Sequence, residues 1–114
     1  MIAGDNRDPE GLLSQTGPVQ VLVHESTFSE SVLEHLGDDR GHSTALRVGQ
    51  AAERHGVENL VLTHFSPRYG PSGSGKSSVD ELRAEAAGAF SGTLHLADDF
   101  DTYTLSLDAE FLKV

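Results

Sequence analysis

The sequence predicts an α/β fold, on the basis of two apolar runs and the helical patterns that alternate with them. Residues 19–23 and 59–63 are short, apolar and rich in β-branched or leucine side chains, as buried strands are. Helical patterns cover residues 43–55 and begin again at Ser78. Strands that alternate with helices are typical of an α/β layer fold, whose strand ends usually carry the functional site.

The elements of the first half are marked by their end signals. The strand at residues 19–23 follows the breaker pair Gly17-Pro18. The helix at residues 43–55 places small apolar side chains on one side, and Gly56 stands where a helix typically ends.

The elements of the second half are equally short. After the strand at residues 59–63, Ser78 and Glu81 form a capping-box pattern that opens a helix running to about residue 90. Two further strands are expected at residues 93–97 and 102–107, on either side of an acidic turn that we interpret as solvated.

Length and charge narrow the classes of function. The chain has 114 residues, which favours a single domain over residues 1–114. It carries 18 acidic and 8 basic residues, for a net charge of −10, and has no run of Lys or Arg. Because phosphate contacts by basic residues supply most non-specific nucleic-acid affinity, this balance disfavours a free-standing RNA-binding module. The charge balance does not exclude the catalytic half of an enzyme that binds its substrate through another part of the protein.

The residue types that the sequence lacks restrict the kinds of site that it can form. The sequence has no cysteine, which excludes disulfides and thiolate metal sites, so that any metal must be held by His and carboxylate. Neither a membrane-spanning apolar run nor a secretory signal pattern is present, and a cytoplasmic location is expected.

Four polar motifs lie where the apolar runs end: GDNR at 4–7, HESTF at 24–28, GHST at 41–44 and THFSPRY at 63–69. Loop residues held by rigid strands are a common place for function. Taken alone, His64 fits a strand-end histidine bonded to backbone as well as it fits a metal ligand. Asp5 alone fits a turn former or a helix cap.

Together, in this order and spacing, the motifs resemble those of ribonuclease Z, a family of zinc-dependent nucleases of the metallo-β-lactamase superfamily that remove tRNA 3′ trailers. The family pattern runs GDTR, HEATF, GHSTA and LTHFSxRY. The resemblance extends from Gly4 to about Leu105. It implies that the chain forms the C-terminal half of the metallo-β-lactamase αββα sandwich, a small sheet flanked by helices on one face.

The resemblance also implies a role for each matching residue. Asp5 would bridge two zinc ions, and His64 would be a histidine ligand of one of them. His42 would protonate the leaving ribose 3′-oxygen, with Glu25 in support, and Arg68 would contact substrate phosphate. These roles suit the chemistry, since a carboxylate can bridge two metal ions, histidine titrates near neutral pH and guanidinium pairs with phosphate.

The sequence departs from the family pattern in three respects. Asn6 replaces a threonine, Ser26 replaces an alanine, and the family's His-x-His-x-Asp-His motif and tRNA-binding arm do not occur in these residues. Because a catalytic zinc needs at least three protein ligands, we expect the chain alone to bind zinc weakly and to cleave nothing. Precursor tRNA would be the partner of the complete enzyme. The open face of the sheet would self-associate or pair with the missing N-terminal half.

Other interpretations remain open. Residues 70–77 match the phosphate-loop pattern G-x-x-x-x-G-K-[ST], including Lys76, which would indicate a nucleotide-binding fragment. Five residues separate this segment from the preceding strand and no convincing Walker-B aspartate follows, so a flexible, variable Gly/Ser loop is the preferred interpretation. The chain could also be a non-catalytic, dimerising descendant, or part of another phosphodiesterase of the same superfamily.

Overall fold

The computed structural model describes residues 1–75 and 77–114. The elements assigned in this part are α1 (Pro9–Ser14), β1 (Val21–Glu25), α2 (Glu30–Leu36), α3 (Ala45–Arg54), β2 (Asn59–Thr63), α4 (Val79–Ala87), β3 (Thr93–Leu96), β4 (Tyr103–Leu105) and β5 (Phe111–Lys113). No helix among these residues is long and apolar enough to cross a membrane.

A three-stranded parallel sheet in the order β1-β2-β3 forms the centre of the fold, and β4 and β5 form an antiparallel pair beside it. The predicted α/β class is therefore confirmed. The first strand starts two residues later than predicted and continues through His24 and Glu25, because these residues pair with Leu62 and Thr63 of β2. Hence the HESTF motif begins inside the strand rather than after it.

One face of the sheet forms the core. Leu22 and Leu60 are partners in neighbouring strands, as are Leu62 and Leu96, and all four side chains are buried. They belong to one apolar cluster with the small residues of α3 and with Leu82 of α4. Full burial of one leucine contributes roughly 1.5–3 kcal/mol, so this layer fixes the strands and the loops that follow them.

The opposite face of the sheet is less open than the sequence suggests. Val61 is only 2% exposed, and the His95 ring lies 5.3 Å from the ring of Tyr103 and 5.4 Å from that of Phe111, both in the β4–β5 pair. The large apolar side chains that are exposed lie outside the three central strands, among them Ile2 on the segment beside β1, and Phe100, Leu105, Leu107, Leu112 and Val114 in the C-terminal part. The β4–β5 pair thus covers part of the face that was expected to be free.

The first residues run alongside β1. Ile2 forms a parallel bridge to Val23, with hydrogen bonds from the Val23 amide to the Met1 carbonyl (2.9 Å) and from the Ala3 amide to the Val23 carbonyl (2.8 Å). Because the two segments run in the same direction, Asp5 emerges at the carboxyl edge of the sheet, as His64 does.

Candidate active site

Three loops meet at the carboxyl edge of the sheet and are joined there through the loop that follows β1. The Ser66 amide donates to the Thr27 carbonyl (3.1 Å), and the Ala45 amide donates to the Phe28 carbonyl (3.0 Å). These bonds hold the segment after β2 and the start of α3 on either side of the HESTF motif. The side chains of the separate motifs are thereby brought to one place.

The centre of the candidate site consists of Asp5, His42 and His64. One potential ligand atom from each lies within 4.8 Å of the others, and Nε2 of His64 is 3.8 Å from Oδ1 of Asp5. The imidazole rings of His42 and His64 stack, with centroids 5.2 Å apart. Imidazole nitrogen and carboxylate oxygen are donors that zinc accepts, so the set could hold a metal ion, although the resemblance assigns metal to Asp5 and His64 alone and proton donation to His42.

The buried side chain of Glu25 links the same loops. Its side chain is 2% exposed, and one oxygen, Oε2, accepts from the amide (3.0 Å) and the hydroxyl (2.7 Å) of Thr27. The other oxygen, Oε1, accepts from the amide of Ser43 (2.7 Å) and that of Asn6 (3.4 Å). Ser43 follows His42 and Asn6 follows Asp5, so one buried carboxylate fixes the backbone beside two site residues.

The contact between Glu25 and His42 is weaker than its role in the resemblance implies. Nδ1 of His42 lies 3.4 Å from Oε1 of Glu25, which is within ion-pair distance. The same nitrogen has no hydrogen-bond partner among the described residues. A long contact without hydrogen-bond angles is a weak interaction. Glu25 therefore holds the backbone beside His42 through the Ser43 amide, while its contact with the His42 ring is long.

His64 adopts a backbone conformation that suits a functional side chain. Its φ of 56° lies in the left-handed region, which non-glycine residues seldom occupy. Such strain persists where the surroundings determine it, as they do at binding sites. Here the Thr27 hydroxyl contacts both the His64 ring and its carbonyl.

The Phe28 ring lies between Arg68 and the His42 ring of the centre. The guanidinium carbon of Arg68 is 5.8 Å from the centroid of Phe28, and the edge of that ring meets His42 at 6.3 Å between centroids. Nε of Arg68 donates to the Ser66 hydroxyl (3.3 Å). The exposed head group is placed beside the centre without touching Asp5 or His64 in the described structure.

Sequence reasoning gave no role to Thr27, Phe28 or Tyr69, which organise the site. The Tyr69 hydroxyl accepts from the Ser29 amide (2.8 Å) and so ties the loop after β2 to the loop after β1. All three residues lie within the recognised motifs, and all three are buried. Their burial within loop motifs is what distinguishes these residues, and burial cannot be read from the sequence alone.

The phosphate-loop pattern occupies a loop whose polar groups are already engaged. Asp80, at the start of α4, accepts from the Gly73 amide (2.7 Å) and the Ser72 hydroxyl (2.7 Å). The Gly73 amide and then the Ser72 hydroxyl lower the pKa of this carboxyl, so it stays negative where a phosphate would have to bind. Lys76 lies outside the described residues. The arrangement supports the Gly/Ser loop interpretation.

A groove of about 610 Å³ runs from His64 between the loops that follow β2 and β3. Asp98 and Asp99 line one end, and the fully exposed Phe100 borders it. The groove does not include Asp5 or His42 among its lining residues. The carboxylates of Asp98 and Asp99 disfavour a phosphate beside them.

Comparison with known proteins gives a consistent result. No protein-family model matches the chain. It is 44% identical over 108 residues to Ribonuclease Z of Pseudomonas putida (strain W619), which covers 95% of the chain and 34% of that protein. It is 40% identical over 114 residues to Ribonuclease Z of Marinobacter nauticus, which covers 100% and 35%. The chain thus spans about a third of the length of the curated relatives it matches.

Among solved structures, the metallo-beta-lactamase fold protein YhfI from Bacillus subtilis superimposes with a TM-score of 0.67 at 22% identity. The match covers 99% of this chain and 38% of that one. At this identity the likeness concerns the fold, which therefore corresponds to one part of the metallo-β-lactamase fold.

Proposed function

This chain is a homologue of the ribonuclease Z proteins with the fold of one part of a metallo-β-lactamase domain, and from that premise we propose that it supplies one half of a zinc-dependent endoribonuclease site. The observation that carries the proposal is the convergence of Asp5, His42 and His64, from three separate motifs, at one edge of the sheet. The substrate of the complete site would be a 3′-extended tRNA precursor.

Asp5 and His64 are the residues that would hold metal. Their carboxylate and imidazole groups are half exposed or more, at 62% and 51%, and face each other across 3.8 Å. When bound, zinc would polarise a phosphodiester and lower the pKa of a bound water. Asp5, with two carboxylate oxygens, can serve two ions.

His42 would act on the leaving group. Its side chain is 21% exposed and stacks against His64, so one edge of the ring can reach a substrate while Nδ1 faces the buried Glu25. A general acid must present a proton to the leaving group, and the free edge of the ring is where His42 would do so. Arg68, supported on Phe28, would contact a neighbouring phosphate.

The isolated chain is expected to be inactive. With His42 reserved for proton transfer, Asp5 and His64 remain as metal ligands in the cluster, fewer than the three that a catalytic zinc takes from protein. The net charge of −10 also gives the chain no general attraction for RNA. Ligands and substrate grip would come from the remainder of the enzyme.

Zinc titration of the purified chain tests this division of roles. Replacing His64 with Gln should weaken zinc binding by at least about tenfold, because a ligand is lost, whereas His42→Gln should change it little. Calorimetry with zinc measures both, and Asp5→Asn should behave like His64→Gln. No zinc-dependent cleavage of a 3′-extended tRNA is expected from any of these chains.

Two results would contradict the proposal. Robust turnover by the isolated wild-type chain would show that the half site is sufficient by itself. A loss of zinc affinity in His42→Gln as large as that in His64→Gln would indicate that His42 is a metal ligand. This would contradict its proposed role, because a metal-bound nitrogen cannot carry the proton to be donated.

A further inference from the structure

Thr27 lies between two groups of the site and contacts both through one oxygen. The residue is 6% exposed. Its Oγ1 is 2.7 Å from Oε2 of Glu25 and 2.9 Å from Nδ1 of His64. A longer contact, of 3.2 Å, joins the same oxygen to the His64 carbonyl.

The single hydroxyl hydrogen of Thr27 decides which way these bonds run. A carboxylate can only accept, and a hydrogen bond to a charged acceptor is shorter and stronger than one to a carbonyl. The distances agree, 2.7 Å to Glu25 against 3.2 Å to the His64 carbonyl. The hydrogen is therefore donated to Glu25, which leaves a lone pair of Oγ1 to accept from His64.

An oxygen that accepts from Nδ1 of His64 requires that nitrogen to carry the hydrogen. In the neutral imidazole the other nitrogen, Nε2, is then a free lone pair. Nε2 is the atom that faces Oδ1 of Asp5, at 3.8 Å. The hydrogen bonds therefore run from His64 through Thr27 to Glu25, and they leave the ligand atom of His64 on the side of the metal site.

We propose that Thr27 is a positioning residue which, together with Glu25, fixes His64 in the tautomer whose Nε2 can bind a metal ion. The inference rests on the proposed metal-binding function. It adds a second task to Glu25: Oε1 holds the backbone beside His42, and Oε2 orients His64 through the Thr27 hydroxyl. One buried carboxylate thus serves both the proton donor and the metal ligand.

The tautomer can be measured without metal. Long-range ¹H–¹⁵N spectra of the ¹⁵N-labelled, zinc-free chain at about pH 8, above the ordinary histidine pKa of about 6.5, distinguish a protonated nitrogen from an unprotonated one. The His64 signals are assigned by their loss in His64→Gln. A protonated Nδ1 and an unprotonated Nε2 are expected, and the reverse assignment would overturn the proposal whether or not any Thr27 variant folds.

Two variants of Thr27 separate its hydroxyl from its packing. Thr27→Val keeps the shape and removes the hydroxyl, so His64 should become a mixture of tautomers and zinc affinity should fall about 10- to 100-fold. Thr27→Ser keeps the hydroxyl and should retain the wild-type tautomer and affinity. A Thr27→Val chain that folds, by circular dichroism, and keeps both properties would refute the positioning role.

The same measurements keep this inference apart from the proposed function. A wild-type chain with the expected tautomer whose zinc affinity is unchanged by both Asp5→Asn and His64→Gln would contradict the metal-binding proposal while supporting the hydrogen bonds from His64 through Thr27 to Glu25. Zinc binding that depends on Asp5 and His64, together with a protonated Nε2 in the metal-free chain, would support the metal-binding proposal and contradict the positioning role of Thr27.

Discussion

At the residue scale, the site depends on buried polar groups that find partners far away in the sequence. Glu25 accepts from the amides of Asn6 and Ser43, which are 19 and 18 residues distant. Losing such partners would leave a buried charge unsatisfied, and this costs several times more than a surface hydrogen bond contributes. The loops are thus fixed by the requirement to satisfy one carboxylate.

Ser26 is the hydroxyl-bearing exception among the buried polar side chains without a partner in the described part of the chain. Its side chain is fully buried and its hydroxyl has no partner among the described residues. Because a buried, unpaired hydroxyl costs roughly 1–3 kcal/mol, Ser26→Ala should stabilise the fold by about 1 kcal/mol or more. Urea unfolding measures the change.

Ser29 provides the matched control, since it is equally buried but its hydroxyl accepts from the Val32 amide (3.3 Å) and from the Tyr69 hydroxyl (3.2 Å). Ser29→Ala should destabilise by about 1 kcal/mol, as loss of a helix N-cap usually does. If Ser26→Ala destabilises as well, the account of the Ser26 environment is wrong.

His24 makes the stability of the chain depend on pH. Burial lowers its pKa, against a smaller opposing effect of the Glu25 carbonyl, to which its Nδ1 is hydrogen-bonded at 2.7 Å. The unfolded chain takes up a proton below about pH 6.5 that the folded chain resists, so stability is lost as the pH falls below that value and is unaffected above it.

His24→Asn should remove this contribution while keeping a side-chain donor near the Glu25 carbonyl. Between about pH 6.5 and 5, the slope of unfolding free energy against pH should flatten by up to about 1.4 kcal/mol per pH unit. Urea unfolding at several pH values gives the slope. An unaltered slope would mean that His24 is protonated equally well in the folded chain.

At the scale of the elements, α3 and α4 approach closely enough to touch through their backbones. A Cβ added at Gly49 would lie 2.9 Å from the carbonyl oxygen and 3.2 Å from the Cα of Ala86. Together these helices cover the core face of the sheet. Their separation therefore sets how well the strands that carry Glu25 and His64 are packed.

Gly49→Ala tests this close approach. In an exposed helix the change would stabilise by roughly 0.5–1 kcal/mol, whereas forcing a methyl group against backbone typically costs 1–3 kcal/mol. A net loss of about 1–2 kcal/mol is expected in thermal or urea unfolding. Gly88→Ala is the control, because a Cβ there would meet its neighbours only at 3.5 and 3.6 Å and no loss is expected. Equal effects of the two substitutions would argue against the contact.

The central elements could be predicted because their signals are local. The strand at Asn59–Thr63 and the helix start at Ser78 follow from residue type and spacing. The short helices α1 and α2 were not predicted, since six and seven residues span only about two turns and carry too few positions for a helical pattern. The strand β5 was not predicted because its apolar residues Phe111 and Leu112 are adjacent rather than alternating. The candidate site residues were predicted from motifs, but the Thr27–His64 contact spans 37 residues and can be seen only in the folded structure.

At the scale of the whole molecule, an acidic chain carries part of a site proposed to act on RNA. The net charge is −10 and one groove at the site is lined by acidic residues, while Arg68 places a cationic group over Phe28 beside the centre. Exposed leucines around β4 and β5 add apolar surface that a neighbouring segment could cover. Both features agree with a chain that works as one part of a larger catalytic unit.

The most direct measurement is therefore the activity of that unit. Residues of this chain would replace the matching third of Ribonuclease Z from Pseudomonas putida (strain W619), to which the chain is 44% identical. The chimera should cleave a 3′-extended tRNA in the presence of zinc. His42→Gln in the chimera should lower the rate by about 10²- to 10⁴-fold without loss of zinc, as removal of a general acid does. A folded, zinc-loaded chimera that does not cleave, or that cleaves equally well with His42→Gln, would contradict the assignment of this half site.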